Sequence, residues 1–241
     1  MEVAHIVCYP IKGFAGEILR KSDFFTNSAL PGDREFALEY RNRIPPDPSN
    51  WRPKKHFWQS TETDLISQIL VQWNNGSIRF KHQNGVLQVS RPLSKNSDLC
   101  NWISTLAPNL PSFKLVRLKT GFTDQPEPYV SLINLETVNT IAKVTNTVFH
   151  PSRYRGNLII SGLEAFAETR WIGRSLLIGN VKFEVIEPIE RCKAIECDWH
   201  GQRDTGLLKR LNSELLTGAC GVFLKVAQSG SLMLGDQVRL D

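Results

Sequence analysis

The sequence predicts a mainly β protein of the α+β class, built as two β-barrel-like units with a few short helices. Three observations predict it. Most apolar stretches are short runs of alternating character bounded by turn residues, as half-buried strands require. Two Asn-Gly dipeptides, Asn75-Gly76 and Asn84-Gly85, sit between such runs and mark tight hairpins. Helical periodicity is confined to three segments.

The elements follow in chain order. Val3-Ala4-His5-Ile6-Val7-Cys8 reads as a first strand and not as a signal peptide. Pro45-Pro46-Asp47-Pro48 reads as a rigid surface loop. Lys54-Lys55-His56 with Phe57-Trp58 forms a basic-aromatic patch, either a solvated turn beside a core strand or a loop at a site entrance. Val71 to Trp73, Ile78 to Phe80 and Val86 to Val89, joined by the two Asn-Gly turns, predict a three-stranded meander. Ser97 is placed to cap a helix whose inner face carries Leu99, Trp102, Ile103 and Leu106 and which Pro108 and Pro111 end.

Leu110 to Pro128, with Pro111, Gly121, Pro126 and Pro128, is the expected inter-domain connection. It divides the chain into residues 1–115 and 116–241. Asn134 is placed to cap a second helix with Val138, Ile141 and Ala142 inward. Strands are expected at Asn157 to Ile160, Ser175 to Ile178, Val181 to Ile186, Gly221 to Ala227 and Gln237 to Leu240, with a third helix from Leu207 to Leu216.

Composition narrows the function classes. Hydrophobic residues are 41% and charged residues 22% of 241, which places the chain with ordinary globular proteins. The net charge of +5 suits a phosphate-bearing ligand, but no basic run is interleaved with aromatics, so nucleic acid is not an expected partner. No apolar stretch approaches membrane-spanning length, so no membrane association is expected. The odd set Cys8, Cys100, Cys192, Cys197 and Cys220 contains no CxxC pair, which favours free thiols in a cytoplasmic setting. Cys192 and Cys197 lack the further cysteines of an iron–sulfur run, so any electrons are expected from another protein.

Six ordered segments carry a family resemblance: Tyr9-Pro10-Ile11-Lys12-Gly13, Gly32-Asp33-Arg34-Glu35-Phe36-Ala37-Leu38, Tyr154-Arg155-Gly156-Asn157-Leu158-Ile159-Ile160, Glu168 to Trp171 with Leu177 to Phe183, Glu187-Pro188-Ile189-Glu190-Arg191-Cys192, and Leu234-Gly235-Asp236-Gln237-Val238. Together they resemble the MOSC family, named for its relation to the C-terminal domain of molybdenum cofactor sulfurases, with the N-terminal β-barrel domain that often precedes it. The likeness is nearest to members that reduce N-hydroxylated compounds. It implies an N-terminal β-barrel domain over 1–115 and a MOSC domain over 116–241.

The resemblance also implies a molybdenum cofactor (molybdopterin) with Cys192 as metal ligand and catalytic residue. Lys12, Arg34, Arg155 and Arg191 would contact the cofactor's phosphate and pterin, and Asn157 would bind the pterin or position the loop. A small-molecule substrate and a separate flavin or iron–sulfur electron donor complete the expected partners. Soft thiolate sulfur suits such a metal, and Arg191 and Lys193 favour a thiolate while Glu190 opposes them. Five positions depart from the pattern. Gly13 stands where serine is common and removes a hydroxyl, Gly156 replaces proline and loosens its loop, and Ile189 replaces a cysteine. Glu190 adds negative charge beside the ligand, and Glu196 replaces threonine.

Other readings stay open. Cys192 could be a buried structural cysteine, Arg34 a turn residue paired with Asp33 or Glu35, Lys12 a solvated strand end, and Asn157 a backbone cap. Cys192 could instead carry a persulfide for sulfur delivery, or the chain could bind cofactor or partner without catalysis. A zinc set of Cys192, Cys197 and His200, or a hydrolase using Cys192 or Cys220, lacks a further ligand or an oriented histidine.

Overall fold

The Val-, Ile- and Leu-rich runs pair into one eight-stranded sheet. Across it lie Val238–Leu240, Ser175–Ile178, Val181–Glu190, Ala219–Gln228, Val130–Asn134, Leu158–Ser161, Glu2–Cys8 and Glu17–Leu19. The computed structural model describes residues 1–43, 47, 49–91, 93, 98–198, 203–215 and 218–241. Neighbouring strands run antiparallel except Val130–Asn134 and Leu158–Ser161, which run parallel. A parallel pair needs a crossover, and the helix Leu135–Val144 lies within it. Asn134 caps that helix by accepting from Glu136 N at 3.1 Å, and Val138, Ile141 and Ala142 are buried, as expected. The sheet curls until its first strand meets the turn before its last. Val3 N donates to Asp236 O at 3.0 Å and Gly235 N to Val3 O at 2.9 Å.

The smaller core gathers around aromatic residues. Phe14 meets Trp58 and Phe80 edge-on at 6.2 and 5.8 Å. The expected meander is present as Leu70–Asn74, Ser77–His82 and Gly85–Ser90. Beside it lie the antiparallel pair Phe36–Tyr40 with Phe113–Arg117 and the helix Asp98–Leu106, which buries Leu99 and Ile103. The last helix is Leu207–Glu214. Pro45, Pro46, Pro48, Ser97, His200 and Leu216 lie outside the described residues.

The structure differs from expectation at four strands. Phe113–Arg117 is a strand inside the stretch read as a connection, with Phe113 and Leu115 turned inward. Val130–Asn134 and Phe36–Tyr40 were not expected because every residue in them is buried, so neither shows alternation. The strand expected over Val181 to Ile186 runs on to Glu190, with a register shift after Pro188 accommodating a residue that has no N–H to donate. Glu2–Cys8 and Glu17–Leu19 come from the first part of the chain and lie at one end of the large sheet.

Candidate functional site

The segment Tyr9 to Gly13 leaves the large sheet and crosses to the smaller core. Tyr9 N donates to Asp33 Oδ1 at 2.8 Å, and Lys12 N to Phe36 O at 2.7 Å. Lys12 is no solvated strand end: it is 5% exposed, and its Nζ donates to Phe122 O at 2.8 Å and Asp124 Oδ1 at 2.6 Å. Burial lowers the ammonium's pKa and Asp124 opposes that shift, while Lys12 holds the Asp124 carboxyl well below the usual carboxylate range. Gly13 has φ +90°, and a Cβ there would meet Ile66 Cδ1 at 2.7 Å, so the missing serine hydroxyl follows from backbone geometry and packing.

Arg34 and Arg155 face the Tyr9 ring, with guanidinium carbons 5.0 and 4.4 Å from its centroid. Both residues hold left-handed backbones, φ 52° and 51°, uncommon outside glycine. Arg34 pairs with Asp33 and also donates to Arg155 O at 3.2 Å, so the expected turn pairing and a place at the cavity coexist. Arg155 donates to Phe14 O at 3.0 Å. Burial, then the neighbouring Arg34 charge, push Arg155 down to about 10. Such crowding of buried cations favours a nearby anion. A Cβ at Gly156 would meet Ile133 Cγ1 at 2.2 Å, so this position is hemmed in where the sequence suggested a looser loop.

Asn157 is 2% exposed, and its side chain joins strands. Its Oδ1 accepts from Ser131 Oγ at 2.8 Å, and its Nδ2 donates to Val7 O at 3.1 Å. These bonds fasten the start of Leu158–Ser161 to Val130–Asn134 and Glu2–Cys8.

Cys192 follows the strand Val181–Glu190 and precedes the short helix Lys193–Glu196. It is half-buried, whereas Cys8, Cys100, Cys197 and Cys220 are buried. Arg191 is fixed by carbonyls: its Nε donates to Cys220 O at 2.9 Å and its Nη1 to Tyr154 O at 2.8 Å. Burial lowers the pKa of its guanidinium. Behind the cysteine loop lies Arg153, a residue the sequence reading missed. It is 5% exposed and donates to Ile195 O at 3.2 Å, Glu196 O at 3.0 Å and Asp198 Oδ2 at 3.2 Å. Glu196 accepts from Gly206 N at 3.0 Å, which ties the loop to the next helix. Ile189, where a cysteine was expected, packs in an apolar cluster with Tyr9 and Cys220.

Lys12, Arg34, Arg155, Asn157, Arg191 and Cys192 all line one cavity of about 520 Å³. Lys54 stands at its edge, while Phe57 and Trp58 are in the core. Cys197 is buried and does not line the cavity, its Sγ donating to Ser60 O at 3.5 Å. Among the described residues no group of three His, Cys, Asp or Glu side chains is placed to hold a metal, and no helix is long and apolar enough to cross a membrane.

Comparison with known proteins bears on the family and the fold. A family model for the MOSC domain matches residues 119–239, which include Arg155, Asn157, Arg191 and Cys192 but not Lys12 or Arg34. The chain is 37% identical over 62 residues to molybdenum cofactor sulfurase from Bos taurus, covering 25% of this chain and 7% of that protein. It is 38% identical over 61 residues to molybdenum cofactor sulfurase from Homo sapiens, again 25% of this chain and 7% of that protein. The matched segment is thus a small part of either curated relative. The crystal structure of the YuaD protein from Bacillus subtilis superposes over 99% of this chain and 94% of its own, with a TM-score of 0.51 at 13% identity, a likeness of fold. On the match over residues 119–239, the chain belongs to the MOSC domain family.

Proposed function

We propose that the cavity binds the molybdenum cofactor and that Cys192 gives the metal its protein thiolate, making the chain an oxidoreductase for small N-hydroxylated compounds. One observation carries this reading: a single cavity gathers Lys12, Arg34, Arg155, Arg191 and Cys192 from distant stretches of sequence. Its volume, about 520 Å³, lies in the range of cofactor sites. The donor set suits the cofactor, with cations for its phosphate, planar guanidiniums for its pterin and a soft sulfur for its metal.

Lys12 and Arg34 would hold the anionic end, Arg155 would stack beside it over Tyr9, and Arg191 would place positive charge next to the Cys192 sulfur. Asn157 and Arg153 would keep the surrounding loops in register. When bound, the cofactor would supply two-electron redox chemistry, fed by a separate flavin or iron–sulfur protein in the cytoplasm.

Metal analysis tests the proposal. Protein made in cofactor-competent cells should contain molybdenum, and Cys192→Ser should lose most of it. Equal molybdenum in both proteins, or none in the wild type under conditions that load a relative, contradicts it. A second reading has Cys192 carrying a persulfide for sulfur transfer. The local identity to proteins named molybdenum cofactor sulfurase favours it. Mass spectrometry showing a labile added sulfur on Cys192, with no bound pterin, would select this second reading.

A further inference from the structure

The cavity is not uniformly cationic. On its rim, neighbouring strands present a row of side chains to the interior. Phe223 lies opposite both Glu187 and Ser131 in the antiparallel ladders, so the three share a face, and all line the cavity. Val222, the neighbour of Phe223, points to the other face and into the large core with Leu132. A register shift between Val185 and Glu187 sets this pattern. Unbroken pairing would put Ile186 opposite Phe223, and the bulge replaces that isoleucine with a carboxylate.

Tyr129 completes the group. Its ring lies 5.7 Å from that of Phe223, tilted by 36°, and both are only partly buried. Glu127 also lines the cavity and, like Glu187, is exposed. Burial, then the charges of Glu127 and Glu187, push the Tyr129 hydroxyl up. Two aromatic faces flanked by carboxylates attract a weakly hydrated cation, because the ring quadrupole and the acids act together. A hard metal ion would need several converging oxygens, and aromatic faces supply none.

We propose that Tyr129, Phe223, Glu127 and Glu187 form a subsite for an organic cation at the cavity rim. It deepens the proposed function by naming the charge class of the substrate, and it rests on that reading in taking this cavity as the reaction site. The floor cations Arg34 and Arg155 repel a second positive charge, so such a ligand is held at the rim with its far end directed inward. Neutral and anionic compounds of the same shape gain less there.

Calorimetric titration of the purified 241-residue chain with phenyltrimethylammonium tests the subsite, with benzyl alcohol as neutral comparator. The cation should bind saturably and about tenfold more tightly than the alcohol. Glu187→Gln, at an exposed position that the fold tolerates, should weaken it about fivefold or more, and Phe223→Leu by a similar factor. The inference is overturned if the cation does not bind, if the alcohol binds equally well, or if Glu187→Gln leaves the dissociation constant unchanged. Neither ligand needs the metal, so failed molybdenum loading counts against the cofactor reading and not against this one.

Discussion

Two thiols flank Arg191, and their surroundings are opposite. Cys220 lies in the strand Ala219–Gln228, 1% exposed, and its carbonyl accepts from the Arg191 side chain. Burial pushes its thiol up to about 12, outweighing the Arg191 charge that lowers it. Cys192 lies one residue beyond Arg191, on the loop, half-buried and lining the cavity. A nearby cation therefore does not by itself make a reactive sulfur, since solvation and access decide. The strand side is packed, and the loop side opens on the cavity.

The largest expected effect lies in thiol reactivity. With iodoacetamide at neutral pH, Cys192 should label at least about tenfold faster than the other four cysteines. Peptide mass spectrometry reads this directly, and labelling of Cys220 at a comparable rate would break the contrast. Next comes the packing side. A Cβ at Gly221, φ +83°, would meet Leu132 O at 2.3 Å. Gly221→Ala should cost about 3 kcal/mol in urea denaturation, and a variant as stable as wild type would contradict tight packing beside Cys220. Cys220→Ser should cost less, about 1–3 kcal/mol, by burying a hydroxyl among apolar neighbours.

The same burial has a pH signature. The folded thiol of Cys220 is raised above its unfolded value, so its contribution to stability is full below about pH 8.5. That contribution is lost as pH rises toward about 12, where the folded thiol itself ionises. Cys220→Ala should lack this slope, measured as the urea midpoint against pH. An unchanged slope would mean that the thiol is not desolvated.

Local chemistry made part of this legible in advance. The Asn-Gly turns specified the meander, and Asn134 announced its helix through a side chain that can accept from the first turn. Strands buried on both faces, Val130–Asn134 and Phe36–Tyr40, offered no alternation to read. Cys192, Lys12, Arg34, Arg155, Asn157 and Arg191 were found by resemblance to a motif, because charged residues so far apart in sequence give no sign of sharing a cavity. Arg153 was missed since a buried arginine that bonds carbonyls looks, in sequence, like a solvated one. The Glu187 bulge was hidden for a similar reason: a slipped ladder exists only once Val181–Glu190 and Ala219–Gln228 are paired.

The central claim is a bond between one sulfur and one metal. X-ray absorption at the molybdenum edge, on wild type and Cys192→Ser loaded in cofactor-competent cells, tests it most directly. The account predicts one sulfur neighbour fewer around molybdenum in the variant's residual metal, together with a large loss of total metal. Identical sulfur coordination in both proteins, at equal loading, would contradict it.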